Sequence, residues 1–222
     1  MIKGIIFDFD GLIFDTETHH YNVLNDIFIE HGSTLPLTKW QEQIGTQTDF
    51  SPYVYLEKQL KLKLDHNALQ DTFEEKLHAK LSTEKARAGV ENYLQSANEL
   101  GLKIGLASSS NYDWVSTHLK NLNLFDYFHC IKTSDDVETV KPDPSLYLEA
   151  AKCLQLDVQE CLVFEDSANG SLAAKSAGMS CVIVPNEVTE AMDFCEVDYR
   201  ISSMSEISLE DVIEIVERAN SK

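Results

Sequence analysis

The chain has 222 residues, 43% of them hydrophobic, and a formal net charge of −19 at pH 7. That length fits one large domain or a core with a smaller companion, and the apolar fraction can bury a core without disulfides or structural metals. A field of this sign, interrupted by no basic run, excludes nucleic acid and anionic membrane as main partners.

In chain order, Ile2 to Phe9 form an apolar strand that ends in acids. From Val90 onward strands and helices alternate. Val90, Tyr93, Leu94, Ala97 and Leu100 keep helical spacing, and Leu102 to Ala107 reads as a buried strand. Asn111 to Lys120 reads as a helix and Phe128 to Lys132 as a strand; Tyr147, Ala150, Ala151 and Leu154 mark another helix face. Cys161 to Phe164 is a strand, Ser167 to Ala177 a helix closed by Gly178, and Cys181 to Val184 a strand. Leu209, Val212, Ile213 and Val216 stripe the last helix.

Continuous apolar strands separated by helices predict an α/β fold with a parallel sheet covered on both faces. The stretch from about Asp15 to Thr83 breaks the alternation, with helix patterns at Leu24, Ile27, Phe28 and at Leu69, Phe73, Leu77, Leu81, and no convincing strand. It reads as a helical insertion, giving a core of residues 1–14 and 84–222 and a small helical unit of residues 15–83.

Cys130, Cys153, Cys161, Cys181 and Cys195 are an odd number with no CxxC pair. They read as free thiols without redox or metal roles, suited to a reducing cytoplasm. The apolar run before Asp8 is too short for a signal-peptide core, and no stretch of about 20 apolar residues could span a bilayer. A cytoplasmic monomer is expected.

In an open α/β sheet, ligands bind at the carboxyl ends of the strands, so polar residues where apolar strands stop are the candidates. Asp8-Phe9-Asp10-Gly11 puts two carboxylates at alternate positions of an extended chain. Two like charges that close favour different protonation states, which suits a nucleophile and a general acid; solvated acids capping a strand end are the alternative. Gly11 permits a sharp turn just beyond them. Glu165-Asp166 adds two acids after another strand, and oxygen ligands from separate strands suit a hard cation such as Mg²⁺. Helix capping by Asp166 or Ser167 is the competing use. Ser108-Ser109-Ser110-Asn111, between a strand and a helix, could hold phosphate oxygens or simply cap the helix. Lys141, before Pro142, is the one obvious side-chain cation to set among these acids.

With these residues in place, the chain resembles the haloacid dehalogenase superfamily, in its β-phosphoglucomutase-like branch with a helical cap. The segments that carry the resemblance are FDFDGLIFDTE (Phe7–Glu17), LASSSN (Leu106–Asn111), VKPDP (Val140–Pro144) and FEDSANGSLAAKSAGM (Phe164–Met179). In detail it is most similar to bacterial phosphorylated-carbohydrate phosphatases. The resemblance implies a Rossmann-like, doubly wound parallel sheet with the cap inserted after the first strand, and Mg²⁺-dependent hydrolysis of a small phosphorylated metabolite. It implies that Asp8 attacks phosphorus and that Asp10 serves as acid and then base. Ser108 and Lys141 would hold the phosphoryl oxygens; Asp8, the Asp10 carbonyl and Asp166 would bind Mg²⁺, with Glu165 acting through a water.

Ser109, Asn111, Gly11, Thr16, His20, Gly45 and Thr48 complete the expected substrate contacts. His20 matches a cap histidine of the mutase. Ile44 and Thr48 stand where the mutase grips a second phosphate with basic residues, which favours hydrolysis of a monophosphate over mutase chemistry. A phosphosugar mutase and a catalytically silent metabolite binder remain the alternatives.

Overall fold

The computed structural model describes residues 1–194 and 196–220. Six parallel strands form one sheet: β1 (Gly4–Phe7), β2 (Lys103–Ala107), β3 (Cys130–Lys132), β4 (Cys161–Glu165), β5 (Ser180–Ile183) and β6 (Tyr199–Arg200), in the order β3-β2-β1-β4-β5-β6. The chain runs outward from β1 to β3, then returns to the other side of β1. This reversal makes the sheet doubly wound and opens a crevice at the carboxyl ends of β1 and β4.

The helices are α1 (Thr16–Glu30), α2 (Leu37–Gln41), α3 (Pro52–Leu60), α4 (His66–Leu81), α5 (Val90–Glu99), α6 (Tyr112–Asn121), α7 (Ser145–Leu154), α8 (Ala168–Ser176) and α9 (Leu209–Asn220). Alternation along the strands divides the core. Ile5, Phe7, Ile104, Leu106, Leu162 and Phe164 face one way and pack on α5, α6 and α9. Ile6, Ala107, Cys161, Val163, Cys181 and Ile183 face the other and pack on α7 and α8. Burial on both faces is why these strands carry almost no polar side chains until their ends.

Helices α1 to α4 lie between β1 and α5 and enclose a separate apolar cluster of Val23, Leu24, Ile27, Phe28, Leu35, Tyr53, Leu56 and Leu69. The two connections to the sheet run side by side: Phe14 pairs with Ala86, and the Arg87 N–H donates to the Ile13 carbonyl at 2.9 Å. The α1 and α4 patterns are found as expected, while α2 and α3 carry no pattern the sequence reading picked out. The strand expected at Phe128 begins only at Cys130, because a turn of 3-10 helix at Phe125–Tyr127 occupies the approach.

The cysteines need a correction. Cys130 and Cys153 form a disulfide, with Cα atoms 6.2 Å apart, because α7 lies against β3 and brings together residues separated by 23 positions. The inference from five unpaired thiols to a reducing compartment loses that support. Cys161 and Cys181 are buried, as expected. Cys195 lies outside the described residues. Among the described residues, no helix is long and apolar enough to cross a membrane.

Candidate active site

The sequence candidates converge on the carboxyl rim of the sheet. Asp8 and Asp10 leave β1, Ser108 leaves β2, and Glu165 and Asp166 end β4. Lys141 comes from the loop between β3 and α7, next to the cis Lys141–Pro142 peptide bond. Lys141 has no solvent exposure; its ammonium donates to Asp8 Oδ1 and, at 2.7 Å, to Glu165 Oε1. It also lies 4.9 Å from the centre of the Tyr147 ring.

Glu165 anchors this lysine. Its Oε1 also accepts from the Tyr147 hydroxyl at 2.8 Å. Its Oε2 accepts from the N–H groups of Asp166 and Ser167 and from the Ser167 hydroxyl, at 2.9 to 3.0 Å. Helix α8 is capped by Ser167, whose hydroxyl oxygen accepts from the Gly170 N–H, so Asp166 is left free of that task.

Charge and burial set the protonation of the cluster. Burial opposes ionisation of Glu165, but Lys141 and the surrounding donors outweigh it and hold its carboxyl below the usual range. Burial likewise disfavours a charged Lys141, yet Asp8 and Glu165 raise its pKa above the normal value. Asp8 is pushed up to about 8 by burial, which Lys141 only partly offsets. Asp166 is driven well above the carboxylate range by burial and by the charges of Glu165 and Asp8.

One carboxylate oxygen each from Asp8, Glu165 and Asp166 lies within 4.8 Å of the others. This all-oxygen set, with more buried acid than protein cations neutralise, fits a hard divalent ion. Asp166 Oδ2 is oriented by the Asn186 amide at 2.8 Å. The Arg87 guanidinium, which lowers the Asp166 pKa, donates to the carbonyls of Gly11, Val184 and Pro185. Lys141 is therefore not the sole cation at the site, as the sequence reading had it.

Above this buried floor is a cavity of about 380 Å³ lined by Asp8, Asp10, Glu17, His20, Gly45 to Gln47, Ser108 to Asn111, Trp114 and Ser134. Asp10 is held from several sides. Its Oδ1 accepts from the Thr16 hydroxyl and the Trp114 indole N–H, both at 2.8 Å, and its Oδ2 from the hydroxyls of Ser110 at 2.6 Å and Ser108 at 3.4 Å. Burial, reinforced by Asp10 and Asp8, pushes Glu17 well above its usual range.

The turn at Gly45 crosses from the insertion to the core. Its carbonyl accepts from the Ser109 hydroxyl at 3.0 Å, the Ile44 carbonyl from the Asn169 amide at 2.8 Å, and the Gln47 amide donates to the Ser109 carbonyl at 3.0 Å. Gly45 has φ 74°, and a Cβ there would collide with Ser167 Oγ.

Some expected contacts lie elsewhere. Thr16 is buried against Asp10 rather than lining the cavity. Gly11, at φ 83°, makes the turn under Asp166, where a Cβ would strike its carboxylate. Asn111 lines the cavity and also caps α6, accepting from the Trp114 N–H at 2.9 Å. Thr48 is exposed, bonds to Gln43 and lies outside this cavity. His19 pairs with Glu84 at 2.8 Å, away from His20. Glu17, Trp114, Arg87 and Asn186 were not singled out, and Ser110, expected within the phosphate-holding run, donates to Asp10. The helix N-cap spacing from Asn111 was the available signal for Trp114.

These features define an α/β protein with an acid-rich pocket at the topological switch point, roofed by a helical insertion. The chain belongs to the haloacid dehalogenase-like hydrolase family, whose model matches residues 5–184. It is 59% identical over 94% of its length to 95% of a Bacillus subtilis protein named "Putative phosphatase YhcW". It is 27% identical to Hexitol phosphatase B of Escherichia coli, over 96% of this chain and 97% of that one. A Thermotoga maritima structure described as a "putative beta-phosphoglucomutase" shares the fold, with a TM-score of 0.76 at 24% identity, covering 96% and 99% of the two chains.

Proposed function

We propose that this enzyme, a phosphatase of its family, hydrolyses small phosphorylated metabolites, sugar or polyol monophosphates, through an aspartyl-phosphate on Asp8. The observation that carries the reading is the fully buried Lys141 bridging Asp8 and Glu165 beside Asp166. Burying one cation among three carboxylates carries a desolvation cost, which points to a task beyond stability, and phosphoryl transfer is mainly positioning and charge neutralisation.

An Asp8 oxygen attacks phosphorus as the ester P–O bond breaks, and the leaving alkoxide takes a proton from Asp10. Asp10 then accepts a proton from water, whose oxygen attacks the aspartyl-phosphate, releasing phosphate and restoring Asp8. Lys141 keeps Asp8 oriented and offsets charge on the transferring group, while Ser108 and Ser109 line its path. Asp8, the Asp10 carbonyl and Asp166 would hold Mg²⁺, with Glu165 reaching it through a water. Bound there, the ion would neutralise phosphoryl oxygens in a cavity whose walls, among the described residues, include no lysine or arginine.

Hydrolysis is favoured over mutase chemistry by the Gly45 turn. Ile44 is buried, with its carbonyl bonded to Asn169, and Thr48 faces Gln43, so neither position offers a cation to a second phosphate. The test is phosphate release from a metabolite panel with and without Mg²⁺, for wild type and Asp8→Asn. Metal-dependent turnover lost in the variant is expected; turnover retained by Asp8→Asn would refute the nucleophile.

A further inference from the structure

The insertion holds a second cavity, of about 410 Å³, which shares His20, Thr46 and Gln47 with the catalytic one. Its walls include Leu24, Trp40, Phe50, Tyr53 and Phe73. No Asp, Glu, Lys or Arg lines it among the described residues. Lys39, whose ammonium lies 5.4 Å from the Phe50 ring, is paired with Glu42. The two titratable side chains in the wall stay neutral near pH 7. Burial lowers the His20 pKa, against the charge of Asp10, and burial pushes Tyr53 up to about 12.

Three rings connect the two cavities. His20 stacks on Phe73 at 5.7 Å with a 27° interplanar angle, and on Trp114 at 6.1 Å with 23°. Phe73 lines the second cavity and Trp114 the catalytic one. Much of the remaining polar wall is already engaged. Gln70 accepts from the Tyr53 hydroxyl at 3.0 Å and donates to Glu74 at 2.7 Å. Gln43 accepts from Thr48, and the Gln47 amide donates to Ser109.

We propose that this cavity is the leaving-group subsite, and that it selects monophosphate esters whose sugar or polyol carries a flat, uncharged ring at its far end. The proposal rests on the phosphatase reading above. A flat ring gains contact and stacking on the aromatic wall. The hydroxyls of an open chain would lose water there and find few free partners beyond the indole N–H of Trp40. A second phosphate or a carboxylate would meet no cation.

The experiment measures kcat/KM for phosphate release from uridine 5′-phosphate, ribose 5-phosphate and sorbitol 6-phosphate by the Mg²⁺-loaded enzyme. The first two differ only in the ring, and a preference of at least about tenfold for the uridine ester is expected, the scale on which pocket contacts discriminate. Phe73→Leu and, as a second variant nearer the surface, Phe50→Leu should each reduce that ratio several-fold. Equal or better turnover of ribose or sorbitol phosphate overturns the proposal and leaves the phosphatase reading standing, as does an unchanged ratio in folded variants. Absence of phosphate release from every ester overturns both.

Discussion

Lys141→Met keeps an unbranched buried side chain, one atom shorter, and removes its charge. In the wild type the ammonium holds Glu165 below its usual range, and without it that carboxylate is buried beside Asp8 and Asp166 with no adjacent cation. Breaking a buried pair in this way costs about 3–5 kcal/mol if the partner stays ionised. Glu165 escapes the cost by binding a proton, so the native variant carries one proton more than the wild type at neutral pH. Stability then falls relative to wild type by about 1.4 kcal/mol per pH unit above the unfolded carboxylate pKa. Between about pH 5 and about pH 8 this amounts to roughly 4 kcal/mol, the same scale as the broken pair. Urea denaturation in EDTA at both pH values reads the difference directly. A fall in kcat of at least about 100-fold should accompany it, as for loss of a charge-stabilising donor. A destabilisation equal at the two pH values, or unchanged kinetics, would refute the assigned role of Lys141.

The wild type should show its own pH dependence. Asp8 and Asp166 have raised native pKa values, so the native state holds protons that the unfolded chain releases from about pH 4 upward, and stability in EDTA falls as pH rises toward about 8. Saturating Mg²⁺ should raise the melting temperature more at about pH 8 than at about pH 5, and Asp8→Asn should flatten the slope; a rising slope in EDTA would contradict both pKa shifts. Trp114→Phe removes the indole donor from Asp10 and should lower kcat by roughly tenfold or more with KM little changed, a split that a general packing defect would not produce. Gly45→Ala combines a positive φ with a collision at Ser167, so it should unseat the turn and raise KM about tenfold or more, while thermal unfolding of the core moves only slightly. An unchanged KM would place the turn outside substrate binding.

The legible parts of the fold are those whose burial forces a simple pattern. Strands β1, β2, β4 and β5 are covered on both faces and are apolar through their middles, and the polar residues at the carboxyl ends of β1, β2 and β4 build the site. Asp8, Ser108 and Asp166 stand out for that reason. By contrast, β6 is two residues with no fully buried side chain, and α2 is five with none, so no periodicity exists to detect. In α3 only Tyr53 and Leu56 are buried. The disulfide joins a strand to a helix that packs across it, a contact with no local signature. Arg87 and Asn186 act on Asp166 from loops distant in sequence, each through contacts that exist only after folding.

Asp10 shows why the core and the insertion have to be considered together. Its carboxylate takes one hydrogen bond from Thr16, at the start of α1, and others from Ser108, Ser110 and Trp114 in the core. Asp8, by contrast, is fixed by Lys141 from the core alone. Movement of α1 relative to the sheet therefore removes one of the four hydrogen bonds on the proposed acid and base and none from Asp8. The Gly45 turn fixes the other side of the insertion to the core, through Ser109 and Asn169. Between these two attachments lie His20 and its stack with Trp114, which itself donates to Asp10. A leaving group seated against His20, as proposed, would bear on the residue that orients the proposed proton donor. On the proposed mechanism, recognition of the alcohol and its protonation would depend on the same few side chains.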